Sequence, residues 1–142
     1  MNSGISELDT LLATMDAELQ PGKYVFFTTD SPVTAPFILS MEPVGFFREK
    51  EGMSFIIELQ AADRHGIAYE SVYRLISLQV HSSLNAVGLT AAVAKKLAAE
   101  NISANVVAAY YHDHIFVPAE KADRALDAIR ELQSRYAPTE PE

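Results

Sequence analysis

The hydrophobic residues in the second half of the chain recur first with a period of two and then with a period close to four. The first period, over Val72–Val80, is typical of a strand with one buried face. The second places Leu89, Val93 and Leu97 along one face of a helix, with Lys95–Lys96 on the solvated side. The pattern therefore predicts a strand followed by a helix that lies on a sheet.

Two further strands and a second helix are predicted after this pair. Asn101 tolerates the left-handed conformation in which helices commonly end, and Ser103–Tyr111 is an apolar run typical of a strand buried on both faces or covered at an interface. His112–His114 interrupts the run as a hairpin turn before Ile115–Val117 resumes it. Ala119–Tyr136 carries a second helical stripe, which gives the order strand, helix, strand, strand, helix.

This order resembles the ACT domain, a ferredoxin-like βαββαβ module that binds amino acids and regulates metabolic enzymes. The resemblance covers Val72–Leu132. It includes Asn85–Gly88, which matches the spacing of the Asp-x-x-Gly turn between the first strand and first helix of ACT domains, with Asn replacing Asp. The segments VGLTAAVAKKLA and YYHDHIFVPAEKA resemble small bacterial stand-alone ACT proteins of unassigned function. The resemblance implies an α+β fold with antiparallel sheets and helices on one face.

The N-terminal half predicts one helix and at least three strands. Ser6–Leu19 has helical spacing, with Ser6 as its N-cap. Tyr24–Thr29 is rich in aromatic and β-branched residues and predicts a strand, whereas Val33–Met41 contains Pro36 and predicts an irregular connection. Val44–Phe47 and Phe55–Leu59 predict the two strands of a hairpin. Gln60–His65 predicts a single helical turn.

We therefore expect two small units. Residues 1–66 form a smaller, degenerate ACT-like unit, and residues 70–136 form an ACT domain packed with it, with an exposed boundary at Gly66–Glu70. A length of 142 residues and a hydrophobic content of 49% suffice for such units. Residues 137–142 cannot add to a core, which predicts a disordered tail.

Composition and charge narrow the class of protein further. Nineteen acidic residues against 11 basic ones give a net charge of −8, which repels nucleic acid. The absence of cysteine excludes disulfides, thiol nucleophiles and thiolate metal sites, and it suits a reducing compartment. No apolar run approaches the ~20 residues that span a bilayer, and the N-terminus lacks the features of a signal peptide. We expect a cytoplasmic protein with no nucleic-acid or membrane partner.

The loop before the first helix of the C-terminal half is the candidate ligand site. Its hydroxyls, its amide and the free N–H groups of a helix start suit a carboxylate, although capping of the helix by Ser83 or Asn85 explains the same residues. Gly88 leaves room for a ligand or a neighbouring backbone. The resemblance implies that the second wall comes from the start of the next strand. The candidate residues are Ser82, Ser83, Leu84, Asn85, Ala86, Val87, Gly88, Ile102, Ser103, Ala104 and Asn105.

The histidines around Asp113 suggest metal binding or acid–base chemistry. A metal site needs at least one further ligand, and Asp and His are common at turns for conformational reasons. An enzyme needs a pocket and an orienting partner as well. We therefore expect no metal, no cofactor and no catalytic residue.

The leading hypothesis is a non-enzymatic regulatory or sensor module that binds a small molecule, and we expect that molecule to be an amino acid. A homodimer is expected, because strands as apolar as Ser103–Tyr111 or Tyr24–Thr28 aggregate when they form uncovered edges, unless the two halves cover them. Two alternatives stay open. One is a small enzyme, such as an acyl- or acetyltransferase, that uses the histidine hairpin, and the other is a structural dimer without a ligand.

Overall fold

A computed structural model describes residues 7–79 and 88–136 of the chain. They divide into two compact units, a central unit over residues 21–74 and a terminal unit within residues 1–20 and 75–142. The expected division was 1–66 and 70–136. These units differ from it at two places, since the described residues before 21 belong with the C-terminal residues and residues 70–74 belong to the central unit.

The described residues form seven strands, five α-helices and one short 3-10 helix. In chain order they are α1 (Glu7–Thr14), β1 (Asp16–Leu19), β2 (Tyr24–Thr29), α2 (Ala35–Met41), β3 (Gly45–Glu49), β4 (Gly52–Glu58), α3 (Leu59–Arg64), β5 (Tyr73–Gln79), α4 (Leu89–Ala99), β6 (Asn105–Ala108), β7 (Asp113–Pro118), the 3-10 turn (Ala119–Lys121) and α5 (Ala122–Ser134). No helix among them is long and apolar enough to cross a lipid bilayer.

The central unit is built on three antiparallel strands in the order β3-β4-β2. Tyr24 at the start of β2 also pairs with Tyr73, the first residue of β5. One face of the sheet packs against the helices, and Val25 and Phe27 of β2 lie on that face. The buried residues of this core are Val25, Met41, Phe55, Ile57, Ala61 and Ala62.

The prediction of an irregular connection over Val33–Met41 is wrong, because Ala35–Met41 form helix α2. Pro36 lies in the first turn of the helix, where the missing N–H needs no partner within the helix. Thr34 is the N-cap, and its Oγ1 accepts a hydrogen bond from the Phe37 backbone N at 3.3 Å. The proline therefore marks the start of a helix.

The terminal unit has the strand order β1-β5-β7-β6, with helices α1, α4 and α5 forming its helical layer. β1 pairs antiparallel with β5, and β6 pairs antiparallel with β7. β1 thus stands beside β5, where the fourth strand of a βαββαβ module belongs. The largest buried side chains of this core are Leu12, Met15, Ile76, Leu78, Leu97, Ile115 and Ile129.

The single helix predicted over Ser6–Leu19 is only partly confirmed. Helix α1 ends at Thr14, and Asp16–Leu19 form β1 in register with 76–79 of β5. Ala17 and Leu19 pack against the core on one face of the sheet, so the period in this segment changes from four to two. Ser6, the predicted N-cap, lies outside the described residues.

Helix α4 confirms the predicted apolar stripe, and Asn101 after it has the expected positive φ of 60°. The prediction that Lys96 is solvated is wrong. Its side chain is buried, and Nζ lies 2.9 Å from Oε1 of Glu131 on α5 and 3.7 Å from Oε2 of Glu100. A buried ammonium needs such partners. The ion pair between Lys96 and Glu131 therefore connects α4 with α5.

The long strand predicted over Ser103–Tyr111 is shorter in the structure. β6 covers Asn105–Ala108, and Tyr110 and Tyr111 are 87% and 81% exposed. β7 begins at Asp113, which places His114 in a strand opposite Val107. The prediction that His114 is a turn residue is therefore wrong.

Candidate functional site

A concave pocket of about 480 Å³ lies in the central unit, where β2 ends and α2 begins. We call it the 29–34 pocket after the loop that forms one side of it. The rings of Phe27 and Phe37 and the branched side chains of Val33 and Ile67 form its apolar wall. Its lining consists of Phe27, Thr29, Ser31, Pro32, Val33, Thr34, Phe37 and Ile67.

Three residues supply hydroxyl groups to the rim of the 29–34 pocket. Thr29 Oγ1 accepts a hydrogen bond from the Ser31 backbone N at 3.2 Å, and Thr34 Oγ1 accepts one from Phe37 N at 3.3 Å. A hydroxyl that accepts in this way keeps its own proton for donation. The loop is therefore held in place by the same side chains that can donate to a ligand oxygen.

The lining of the 29–34 pocket contains no ionisable side chain among the described residues. A charged ligand side chain placed there would lose water without gaining a counter-ion, which is unfavourable. The arrangement suits a small molecule with an apolar body and a hydrogen-bonding end.

A second, smaller groove of about 340 Å³ lies in the same unit, and we call it the Phe26 groove. It differs from the first pocket in having a carboxylate and more polar atoms. Its lining consists of Phe26, Phe27, Thr28, Ala68, Tyr69, Glu70, Ser71 and Tyr73.

The loop that sequence reasoning selected lies largely outside the described residues, since Ser82–Val87 fall in the undescribed segment. Gly88, its last member, is the N-cap of α4 and has a φ of 94°, a conformation that favours glycine. A Cβ at Gly88 would lie 3.3 Å from Cδ2 of Leu8 on α1. In the direction of a Cβ at Gly88, the space is therefore taken by the Leu8 side chain, not left open for a ligand.

The second predicted wall, Ile102–Asn105, divides between core and surface. Ile102 is 3% exposed and belongs to the terminal core, whereas Ser103 is exposed. Asn105 opens β6, and its Nδ2 donates to the Phe116 carbonyl at 3.5 Å. The partner expected for this polar residue in an apolar strand is thus a backbone carbonyl of the neighbouring strand. Ligand contact by these residues stays a prediction.

The histidine region forms a Ser–His contact without a metal cluster. The Ser77 hydroxyl lies 3.2 Å from His114 Nδ1. Burial, and then the charge of His112, lower the pKa of His114 from its usual value, so the neutral ring is favoured. A nucleophilic site also requires an orienting acid and oxyanion donors, and the described residues contain no group of three or more metal-ligating side chains.

Sequence reasoning missed the 29–34 pocket because Pro36 was interpreted as a break. The segment Thr34–Pro36 in fact carries the start signal of a helix, an N-cap threonine followed by a proline in the first turn. With that signal recognised, Thr29–Thr34 becomes a strand-to-helix loop like the one proposed before α4.

Two models of the ACT domain match the sequence, over residues 3–74 and over residues 70–131. The chain belongs to the ACT domain family. The predicted resemblance of Val72–Leu132 to an ACT domain is confirmed. The N-terminal half of the chain matches an ACT domain model as well. The fold is a tandem of ferredoxin-like ACT domains, as in the regulatory domains of aspartate kinases.

Solved structures agree with this assignment. A protein of unknown function from Vibrio cholerae, described as a possible transport protein, is 49% identical with a TM-score of 0.82, and the match covers 92% of this ACT chain and 99% of that one. The ligand-free regulatory subunit of aspartate kinase from Thermus thermophilus is 14% identical with a TM-score of 0.59, covering 85% and 97%. Aspartate kinase from Clostridium acetobutylicum is 13% identical with a TM-score of 0.58, covering 83% and 34%.

The two aspartate kinase structures show likeness of fold alone. No curated protein matches the chain. ACT domains are regulatory rather than catalytic, and the family assignment therefore indicates a ligand-binding regulatory module.

Proposed function

We propose that this tandem ACT protein is a non-enzymatic sensor that binds an amino acid with an apolar side chain. The observation that carries the proposal is the 29–34 pocket, which has a volume of about 480 Å³ and lies in the loop between the first strand and first helix of an ACT unit. Amino-acid binding is the activity that the family resemblance implies.

The apolar wall supports an apolar ligand side chain. Phe27 stacks on Phe55 of the core with ring centroids 5.0 Å apart, so its position is fixed before a ligand arrives. Phe37 follows the Thr34 cap by three residues and is held by it. A preformed apolar wall favours aliphatic and aromatic side chains by removing their surface from water.

The hydroxyls of Thr29, Ser31 and Thr34 are the proposed partners of the ligand carboxylate. Each can donate one hydrogen bond, and hydrogen bonds to a charged group are stronger than neutral ones. This assignment also predicts selectivity, because a ligand with a charged side chain would bring its charge against an uncharged wall.

The corresponding loop of the terminal unit remains our proposal for a second ligand site. It comprises Ser82–Gly88 with Ile102–Asn105, of which Gly88 and 102–105 are described. The proposal rests on the position of this loop between β5 and α4, which matches that of 29–34 between β2 and α2.

A thermal-shift panel of the twenty amino acids tests the proposal. A ligand at 100 times its dissociation constant stabilises the folded state by about 2.7 kcal/mol. We expect shifts with one or more of the apolar amino acids and none with aspartate, glutamate, lysine or arginine. No shift with any amino acid at millimolar concentration would contradict the proposed function.

A substitution that fills the 29–34 pocket distinguishes binding in this pocket from binding elsewhere in the protein. Val33→Trp places a large ring in the pocket, and the matched control Val44→Trp adds the same ring at an exposed residue outside the pocket lining. We expect Val33→Trp to abolish the amino-acid shift and Val44→Trp to retain it. A shift that survives Val33→Trp would move the site to the second loop.

We further propose that the protein is a homodimer joined through the β3 edge of the central unit. β3 ends the strand order and pairs on one side with β4. Phe46 and Phe47 on it are 49% and 47% exposed. Exposed aromatic side chains beside an unpaired strand edge favour strand pairing with a second copy.

A further inference from the structure

The Phe26 groove combines two features that the 29–34 pocket lacks, an exposed aromatic ring, that of Phe26, and a carboxylate. We propose that this groove binds the ammonium end of a small alkylamine, with Glu70 as counter-ion and the rings of Phe26, Tyr69 and Tyr73 as walls. The proposal is independent of amino-acid binding in the 29–34 pocket.

The exposed part of the Phe26 ring provides a surface for a cation. The Phe26 and Tyr73 rings lie with centroids 5.1 Å apart and planes at 66°, an edge-to-face contact that fixes the orientation of both rings. Phe26 is 37% exposed, which leaves part of its ring open to the groove. A cation is attracted to an aromatic face within about 6 Å of its centroid. The part of the Phe26 ring that stays open to the groove can contact one ammonium group.

The charges around the groove favour a cation as well. Glu70 is its only ionisable carboxylate, and its eight described lining residues include neither lysine nor arginine. The Tyr69 hydroxyl donates to Oδ1 of Asp63 at 3.2 Å, so a second carboxylate lies at the hydroxyl end of that ring. Burial, then this hydrogen bond and the charge of Asp63, raise the pKa of Tyr69. Both carboxylates attract an ammonium ion.

The polar lining favours an ammonium that carries protons over a quaternary one. Glu70 accepts hydrogen bonds, and the hydroxyl oxygens of Thr28 and Ser71 can do so too. An alkylammonium can donate to such groups while its chain lies against the rings. A quaternary ammonium keeps only the attraction to the ring faces. The expected order of affinity is therefore alkylammonium, then tetramethylammonium, then an uncharged alcohol.

A nitrogen–proton correlation NMR titration of the full chain with n-butylammonium chloride tests this site. 1-Butanol serves as the uncharged probe of the same length, and ionic strength is held constant with sodium chloride. We expect saturable shifts at the amides of residues 26–28 and 68–73, with butanol binding at least about tenfold more weakly because it lacks the charged hydrogen bond. Equal affinity for the two probes, or shifts confined to other residues, would overturn the proposal.

Two substitutions and one control identify the groups responsible. Glu70→Gln removes the counter-ion and should weaken butylammonium about tenfold, and Phe26→Leu should weaken it about two- to fivefold by removing one ring face. Glu51→Gln makes the same change in net charge at an exposed turn residue outside the groove and should leave affinity unchanged. Equal weakening by Glu51→Gln and Glu70→Gln would show a general charge effect and reject the groove as the site.

Discussion

Gly88 shows how a backbone conformation can account for a residue that sequence reasoning assigned to a ligand. Its φ of 94° disfavours any residue with a Cβ, and a Cβ here would stand 3.3 Å from Leu8 Cδ2. We predict that Gly88→Ala lowers the free energy of unfolding by about 1–2 kcal/mol. Urea denaturation measures this change.

Gly66→Ala is the matched control for that prediction. Gly66 also has a positive φ, 67°, but a Cβ there would meet no atom within 4 Å among the described residues. Gly66→Ala introduces the conformational strain without a close contact. It should therefore lower the free energy of unfolding by less than Gly88→Ala does. A Gly88→Ala protein more stable than the wild type would contradict the described conformation.

His114 predicts a pH dependence of stability. Burial first, then the charge of His112, lower its pKa in the folded state, while Asp113 acts in the opposite direction. Between the folded pKa and the usual 6.5 the unfolded chain binds more protons, so the stabilising contribution is present above pH 6.5 and is lost as pH falls. We expect the wild type to lose more stability than His114→Asn between pH 7.5 and pH 5.5. Parallel unfolding curves for the two proteins would argue against this role.

At the scale of single elements, α2 depends on its cap more than a long helix would. It has seven residues, and its first turn is fixed by Thr34 Oγ1 accepting from Phe37 N. Thr34→Ala should destabilise the protein by about 1 kcal/mol, whereas Thr34→Ser keeps the acceptor and should change stability far less. Urea denaturation of both variants distinguishes the cap from the mere loss of a methyl group. Equal losses in the two variants would show that the hydroxyl is not the stabilising group.

The sequence predicts those elements whose period is sustained. α4 and α5 repeat their apolar positions over 11 and 13 residues, and both were predicted. Asp16–Leu19 has only four residues, and Leu12, Met15 and Leu19 mimic a helical stripe across the change from α1 to β1. Pairing with β5, which lies far along the chain, decides the conformation of this segment. Local period cannot reveal such a partner.

The candidate site was predictable to a smaller extent than the fold. The rule that a strand-to-helix loop binds the ligand in an ACT domain led to Ser82–Gly88, because Asn85 and Gly88 resemble the family turn. The loop 29–34 has no such turn, and its pocket depends on Ile67, which is remote from it in sequence. The groove around Phe26 depends on a ring pair, Phe26 with Tyr73, that sequence spacing does not indicate.

At the scale of the whole molecule, the tandem arrangement was recognised from one half of the chain. Only the C-terminal half carried the recognisable turn and segments, and the N-terminal unit was inferred from its types of element. The family match over residues 3–74 now assigns it independently. The position of β1 beside β5 also explains why the described residues before Pro21 belong to the terminal unit.

The proposed homodimer is a property of the whole molecule, and its mass tests it directly. A chain of 15.6 kDa should give particles of about 31 kDa, twice that mass, in light scattering across a hundredfold dilution. Replacing Phe47 on the β3 edge by Lys places a charge among exposed aromatic residues and should shift the particles to the monomer mass.

The matched control is Tyr110→Ser with Tyr111→Ser, which removes two exposed aromatic rings from the hairpin between β6 and β7. If the interface follows β3, this double variant stays dimeric, because its tyrosines belong to the other unit. If it dissociates while Phe47→Lys does not, the interface lies at the β6 edge, which is within one of the two apolar strands that the sequence analysis named. Particles of about 16 kDa at every wild-type concentration would reject the dimer, since an exposed edge favours pairing without requiring it.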